Sequence, residues 1–199
     1  MSRTPLNILY IMSDDHSAEA ISCYDSRLAP AFQTPNLDRI GREGLRLECF
    51  YSTNIDIVPT LLDYAGVDVP GTMQGESFRA RLADPGISGR DAIYFRYWMH
   101  LGHHHQNPAH YGIRTERWKL ICYYGLPLDA SGTLPVETPG GWELYDMQND
   151  RLELSNLYGQ PEHNHVAEEL KQRLTELKEQ FGDTNERYPS LQEKVAKMG

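Results

Sequence analysis

The apolar positions follow two different rhythms along the chain. At the start, Leu6-Asn7-Ile8-Leu9-Tyr10-Ile11-Met12 is an almost unbroken apolar run. That pattern predicts a strand covered on both faces of a parallel sheet. It ends in Ser13-Asp14-Asp15-His16, which puts carboxylates just past the carboxyl end of a strand, where open α/β sheets hold their ligands. After a turn-rich stretch to Gln33, Thr34-Pro35-Asn36-Leu37-Asp38-Arg39-Ile40 predicts a helix. Thr34 suits the N-cap and Pro35 the first helical position, where its missing N–H costs nothing. Gly44 is placed to end it in a left-handed cap. Residues 45–51 alternate, with Leu45, Leu47, Cys49 and Tyr51 on one face, and predict a second strand. Strand, helix, strand implies a parallel βαβ unit with a right-handed crossover.

A second helix is expected from Asp56, which caps it, with Pro59 in its first turn. Ile57, Leu61, Leu62 and Tyr64 form its apolar stripe, and Gly66 closes it. Val67 to Gly89 reads as an irregular connection with one short helical turn near Ser77–Leu82. From Ala92 the rhythm changes. Ala92–Trp98, Tyr111–Thr115, Trp118–Tyr124 and Trp142–Asp146 are short aromatic or β-branched runs between turn residues, the pattern of an antiparallel sheet. Val166, Leu170, Leu174, Leu177 and Phe181 recur at helical spacing and predict a helix over 166–181. Glu169 and Arg173 form an i,i+4 pair on it. The tail after Gly182 is expected to be loose. The fold class is α/β, with one region over 1–89 and a second over 90–199.

Composition narrows the classes. Hydrophobic residues make up 40% of 199 and charged residues 24%, enough to build a core. The formal net charge of -9 repels phosphate backbones, and no basic stripe offsets it, so nucleic acid is excluded as a partner. No stretch approaches the roughly 18 apolar residues of a membrane span. No signal peptide is evident, which places the chain, as written, in the cytoplasm. Cys23, Cys49 and Cys122 have neither CxxC spacing nor an even count, and read as small buried hydrophobes.

Several residues carry candidate chemistry, each beside a plainer reading. His16, Glu19 and Asp25 lie near the Asp14-Asp15 pair without acid/base spacing. His103, His104 and His105, with His100 and His110 nearby, are the residue type that binds transition metals. A run of three along one strand does not converge on one ion, and a polar loop is the alternative. Arg114, Arg117 and Lys119 can pair with a sulfate or carboxylate, or form the exposed side of a strand. Tyr94, Tyr97 and Trp98 can stack on sugar rings, or fill a core.

Longer strings give a more specific reading. "NILYIMSDDH" followed by "TPNLDRIGREGLRLECFYSTN" resembles the beginning of a sulfatase of the alkaline-phosphatase superfamily. "IDIVPTLLDYAGVDVPGTMQGESF" resembles the closing helix of that family's catalytic domain. "HYGIRTERWKLICYY" and "WELYDMQNDRLELSNLY" resemble its C-terminal antiparallel subdomain. Within the family, "YFRYWMHLGHHHQNPAHYGIRTERWKL" is most similar to carbohydrate sulfatases of the N-acetylglucosamine-6-sulfatase or mucin-desulfating type.

The resemblance implies a truncated sulfatase-like fold: a small parallel βαβ remnant, then an antiparallel sheet and a C-terminal helix. It implies Asp14 and Asp15 as calcium ligands, although two carboxylates supply at most about four of the roughly 6–8 oxygens calcium takes. It implies that His110 reaches the sugar; Arg114, read from its own charge, is the second substrate-binding candidate. The chain also departs from the family. The motif Cys-or-Ser-x-Pro-Ser-Arg, whose first residue becomes the formylglycine nucleophile, is expected just after "YSTN". Here Asn54 runs straight into Ile55-Asp56, as if a segment were deleted at 54–55. Ser52 and Thr53 are the only nucleophilic side chains near that point. The expectation is a sulfatase-family protein without turnover of its own. The alternatives are a calcium- or sulfated-glycan-binding module, a partner of a full-length sulfatase, or an ester hydrolase with an unusual nucleophile. An incomplete sheet also leaves an edge open to self-association.

Overall fold

The computed structural model describes residues 7–13, 16–47, 54–84 and 86–198. The chain divides into two compact units, Met1–Gly89 and Arg90–Gly199.

In the first unit, helix α1 spans Pro35–Glu43, α2 Ile57–Ala65 and α3 Arg79–Ala83. Asp38 anchors the start of α1. Its carboxylate accepts from the Cys23 N–H at 2.9 Å, the Ser22 hydroxyl at 2.7 Å and the Thr34 hydroxyl at 2.8 Å. Thr34 is therefore occupied by Asp38 and makes no side-chain capping bond to the helix. Gly44 does not take the left-handed cap predicted for it; its φ is -118°. Gly66 does, at φ 72°, and returns N–H bonds to Asp63 and Leu62. The Asp56 side chain makes no capping bond to α2. Its carboxylate accepts the Glu76 N–H instead, at 2.8 Å.

The predicted parallel βαβ unit is absent among the described residues. Residues 7–13 carry no strand, and Leu9 is 84% exposed and Ile11 78%. Residues 45–47 carry none either, and the rest of that predicted strand, with Cys49, lies outside the described residues. The reason is physical. A strand with apolar side chains on both faces is held by ladder partners and by layers above and below it. Among the described residues no strand pairs with 7–13.

The second unit is the structured core. Strands β1 (Ala92–Tyr97), β2 (His110–Thr115), β3 (Trp118–Tyr123) and β4 (Gly141–Asp146) form an antiparallel meander in sequence order. The aromatic runs predicted each strand to within a residue. Alternation gives the sheet two faces. Tyr94, Tyr111, Ile113, Leu120, Cys122 and Leu144 pack with Val166, Ala167, Leu170, Leu174 and Leu177 of α4 (Asn164–Gln180). Each fully buried leucine there contributes about 1.5–3 kcal/mol. Cys23 and Cys122 are buried free thiols, and burial pushes the Cys122 thiol up to about 11.

The tail after Gly182 is ordered, against the expectation. Helix α5 covers Pro189–Ala196, and Leu191 is 0% exposed within the main core. Pro189 begins that helix at its permitted position. Arg173 does not use Glu169 as its partner; it pairs with Asp91 at 3.2 Å and Glu176 at 3.0 Å.

Candidate functional site

The sheet face away from α4 carries three cross-strand rows, set by the register. Tyr97, His110, Tyr123 and Gly141 form the first, Phe95, Gly112, Ile121 and Glu143 the second, and Ile93, Arg114, Lys119 and Tyr145 the third. Gly112 is required in the second row. A Cβ there would meet the Leu120 carbonyl oxygen at 2.4 Å and the Phe95 ring at 2.5 Å.

His110 is the centre of the first row. Its ring stacks on Tyr97 with centroids 5.5 Å apart and lies 4.9 Å from Tyr123. Phe95 meets it edge-on at 6.2 Å. Nδ1 is 2.8 Å from the Pro108 carbonyl. A carbonyl only accepts, so Nδ1 carries the proton and Nε2 keeps a lone pair. Burial lowers the imidazole pKa, against the opposing pull of the Pro108 carbonyl. The ring is therefore neutral at pH 7, an acceptor set among aromatic walls. Beside it a cleft of about 460 Å³ is lined by Asn107, Pro108, Tyr123, Glu143 and Asn156, among others. Burial, and Glu143 nearby, raise the Tyr123 hydroxyl pKa, so that hydroxyl stays a donor.

The third row is spoken for. Lys119 holds both carboxylate oxygens of Glu153, at 2.8 and 2.7 Å. Arg114 donates to the carbonyls of Thr115 and Glu116. Arg114 is four residues from His110 on one strand, about 13 Å along it. The structure thus keeps the two candidate substrate residues on one face without bringing them together. Arg117 pairs with Asp146 at 2.7 Å, a contact that closes the β2–β3 turn against β4.

The remaining candidates scatter. Asp14 and Asp15 lie outside the described residues. His16 is exposed, and Glu19 pairs with Arg27 at 3.6 Å. Asp25 takes a left-handed φ of 52°. His100 is fully buried and its Nδ1 accepts the Ala109 N–H at 3.0 Å, so it is a core histidine. Gly102–His104 is a single 3-10 turn. Among the described residues no group of three or more His, Cys, Asp or Glu is placed to hold a metal ion. Tyr94 and Trp98 do not share the His110 face. Tyr94 donates to Asp183, and Trp98 lies 3.5 Å under the Arg96 guanidinium. Sequence reasoning missed Tyr123 and the cleft. Alternation along β3 places Tyr123 with Lys119, which was the available signal; Asn107 and Asn156 come from distant loops and gave none.

Comparison with known proteins gives the family. The profile of the family described as "N-sulphoglucosamine sulphohydrolase, C-terminal" matches residues 32–180. The chain therefore belongs to the sulfatases of the alkaline-phosphatase superfamily, in the C-terminal part of that fold. It is 36% identical over 137 residues to the N-acetylglucosamine-6-O-sulfatase of Bacteroides thetaiotaomicron, covering 67% of this chain and 22% of that one. It is 29% identical over 106 residues to mouse arylsulfatase K, covering 52% and 17%. A solved structure of a protein in complex with its substrate D-glucosamine-2-N,6-O-disulfate superposes with a TM-score of 0.55 and 36% identity, over 65% of this chain and 24% of that one. The chain thus spans about a fifth of the length of the curated relatives it matches. No helix among the described residues is long and apolar enough to cross a membrane.

Proposed function

We propose that this chain is a carbohydrate-sulfatase C-terminal region that binds sulfated sugar on the His110 face and does not hydrolyse the ester alone. The observation that carries the reading is His110 itself. A neutral imidazole clamped between Tyr97 and Tyr123, with Nε2 free to accept, suits a sugar hydroxyl, and the cleft beside it offers Asn107, Tyr123 and Glu143 as further polar partners. The relatives act on, or are seen with, amino sugars carrying sulfate, which supports that class of ligand. The lack of turnover is inferred from the sequence. Sulfate transfer needs an activated oxygen beside a filled cation site, and no Cys-or-Ser-x-Pro-x-Arg string occurs in the 199 residues. Asp14 and Asp15 supply carboxylates of the kind that would hold a calcium ion.

Titration calorimetry with D-glucosamine-2-N,6-O-disulfate, with and without calcium, tests it. The wild-type chain is expected to bind, and His110→Ala to bind at least tenfold more weakly. Equal heats for the two proteins would remove the assignment of this face. A heat that depends on calcium and disappears in Asp14→Ala supports the metal arm; indifference to both removes it.

A further inference from the structure

Glu143 places an uncompensated negative charge on the His110 face. It stands in the second cross-strand row, opposite Ile121 and one row from His110, and it lines the cleft of about 460 Å³ with Tyr123. Its hydrogen-bond partner is neutral: the Tyr145 hydroxyl donates to Oε2 at 2.9 Å. Among the described residues no Lys, Arg or His forms an ion pair with it. Lys119, the cation of the third row, gives its ammonium to both oxygens of Glu153, at 2.8 and 2.7 Å. Arg114 donates to backbone carbonyls. The Glu143 charge is felt locally all the same, because it helps raise the Tyr123 hydroxyl pKa and opposes the lowering at His110. A half-buried carboxylate loses hydration that no counter-charge here replaces. A cation in the cleft would supply it.

The surroundings suit that cation. An ionised carboxylate only accepts hydrogen bonds, and His110 Nε2, beside the cleft, accepts as well. Tyr123 adds a ring to the same lining, and an ammonium within about 6 Å of a ring face is attracted to it. A sulfate in that place would meet a like charge and no free cation, which is repulsive. A sulfated amino sugar carries both kinds of group. Its sulfates are anions. Its nitrogen, when unsubstituted, titrates in the region of an α-amino group, about 8, and is mostly an ammonium at pH 7.

We propose that Glu143 sets which amino sugar this face prefers: it seats a free ammonium group in the cleft and disfavours an N-sulfated nitrogen, while the sugar's O-sulfate stays outside the cleft. This rests on the His110 reading of the same face, and it specifies the state of the ligand's nitrogen, which that reading leaves open. The ammonium donates to a carboxylate, a charge-assisted hydrogen bond of the stronger kind. An N-sulfated sugar still binds through its hydroxyls, at lower affinity.

Titration calorimetry at pH 7 compares D-glucosamine-6-sulfate with D-glucosamine-2-N,6-O-disulfate. The free amine is expected to bind about fivefold more tightly or better. In Glu143→Gln, which keeps an acceptor for the Tyr145 hydroxyl, the two affinities should come within about twofold of each other. Glu168→Gln removes the same charge from α4, behind the sheet, and should leave the preference intact. His110→Ala should weaken both sugars and keep their ratio. Equal affinities in the wild type, a preference that survives Glu143→Gln, or one lost equally in Glu168→Gln overturns the role of Glu143. Those results leave the loss in His110→Ala standing. Affinities indifferent to His110→Ala, with the Glu143 preference present, remove the His110 reading instead. No binding of either sugar overturns both.

Discussion

Arg96 shows how the second unit uses a buried charge. Its side chain is 3% exposed and pairs with Asp183 at 2.5 Å, while Tyr94 donates to the same carboxylate. This joins the first strand to the end of α4. Breaking a buried pair from one side leaves a stranded charge and costs about 3–5 kcal/mol. Asp183→Ala should therefore lower unfolding stability by that order in urea. Tyr94→Phe, which removes one hydrogen bond, should cost about 1 kcal/mol. Asp146 gives a second prediction. Hydrogen bonds from Arg117, and lesser ones from Asn149 and the Gln148 N–H, hold its carboxyl at about 2 against an ordinary 3.8. A depressed carboxylate pKa stabilises the fold above the unfolded value and loses that effect as pH falls through the folded one. Thermal stability should thus drop between about pH 4 and pH 2, and Asp146→Asn should flatten that part of the profile. An unchanged profile would show that the Arg117 pair does not survive in solution.

At the scale of elements, the antiparallel sheet and α4 were legible because their signals are local. Period-two aromatic runs and a helical leucine stripe each state which face is buried. The N-terminal run was misread because continuous hydrophobicity reports burial without naming what covers it. Its cover is not found among the described residues, and the segment is exposed. Helix α5 failed in the opposite way. Leu191 is its one fully buried anchor, with Val195 partly packed beside it, too few positions to form a stripe. Leu191→Ala should cost about 2–5 kcal/mol, measured by chemical denaturation. A loss below about 0.5 kcal/mol, the usual range for surface sites, would mean that α5 is not docked. The candidate site was half legible for the same reason. The resemblance pointed to His110 and alternation allowed Tyr123, but Asn107, Glu143 and Asn156 are gathered only by the meander.

For the whole molecule, the net charge of -9 supplies no long-range attraction for sulfated ligands, so binding has to come from local contacts such as those around His110. The same charge opposes self-association, whereas Ile8, Leu9, Ile11 and Met12 present apolar side chains to solvent and favour it. Burying about 25 cal/mol for each Å² of apolar surface, those side chains are expected to draw copies together. Sedimentation should show a mass that rises with concentration and falls back in a Leu9→Lys, Ile11→Lys variant. Binding and cleavage are separate properties of this chain in the proposed function. One proton NMR series on D-glucosamine-2-N,6-O-disulfate incubated with the pure chain reads both at once. Sugar lines that shift or broaden with protein, with no growth of a desulfated product, are expected. Product lines growing in proportion to protein, or sugar lines indifferent to it, would contradict the proposed function.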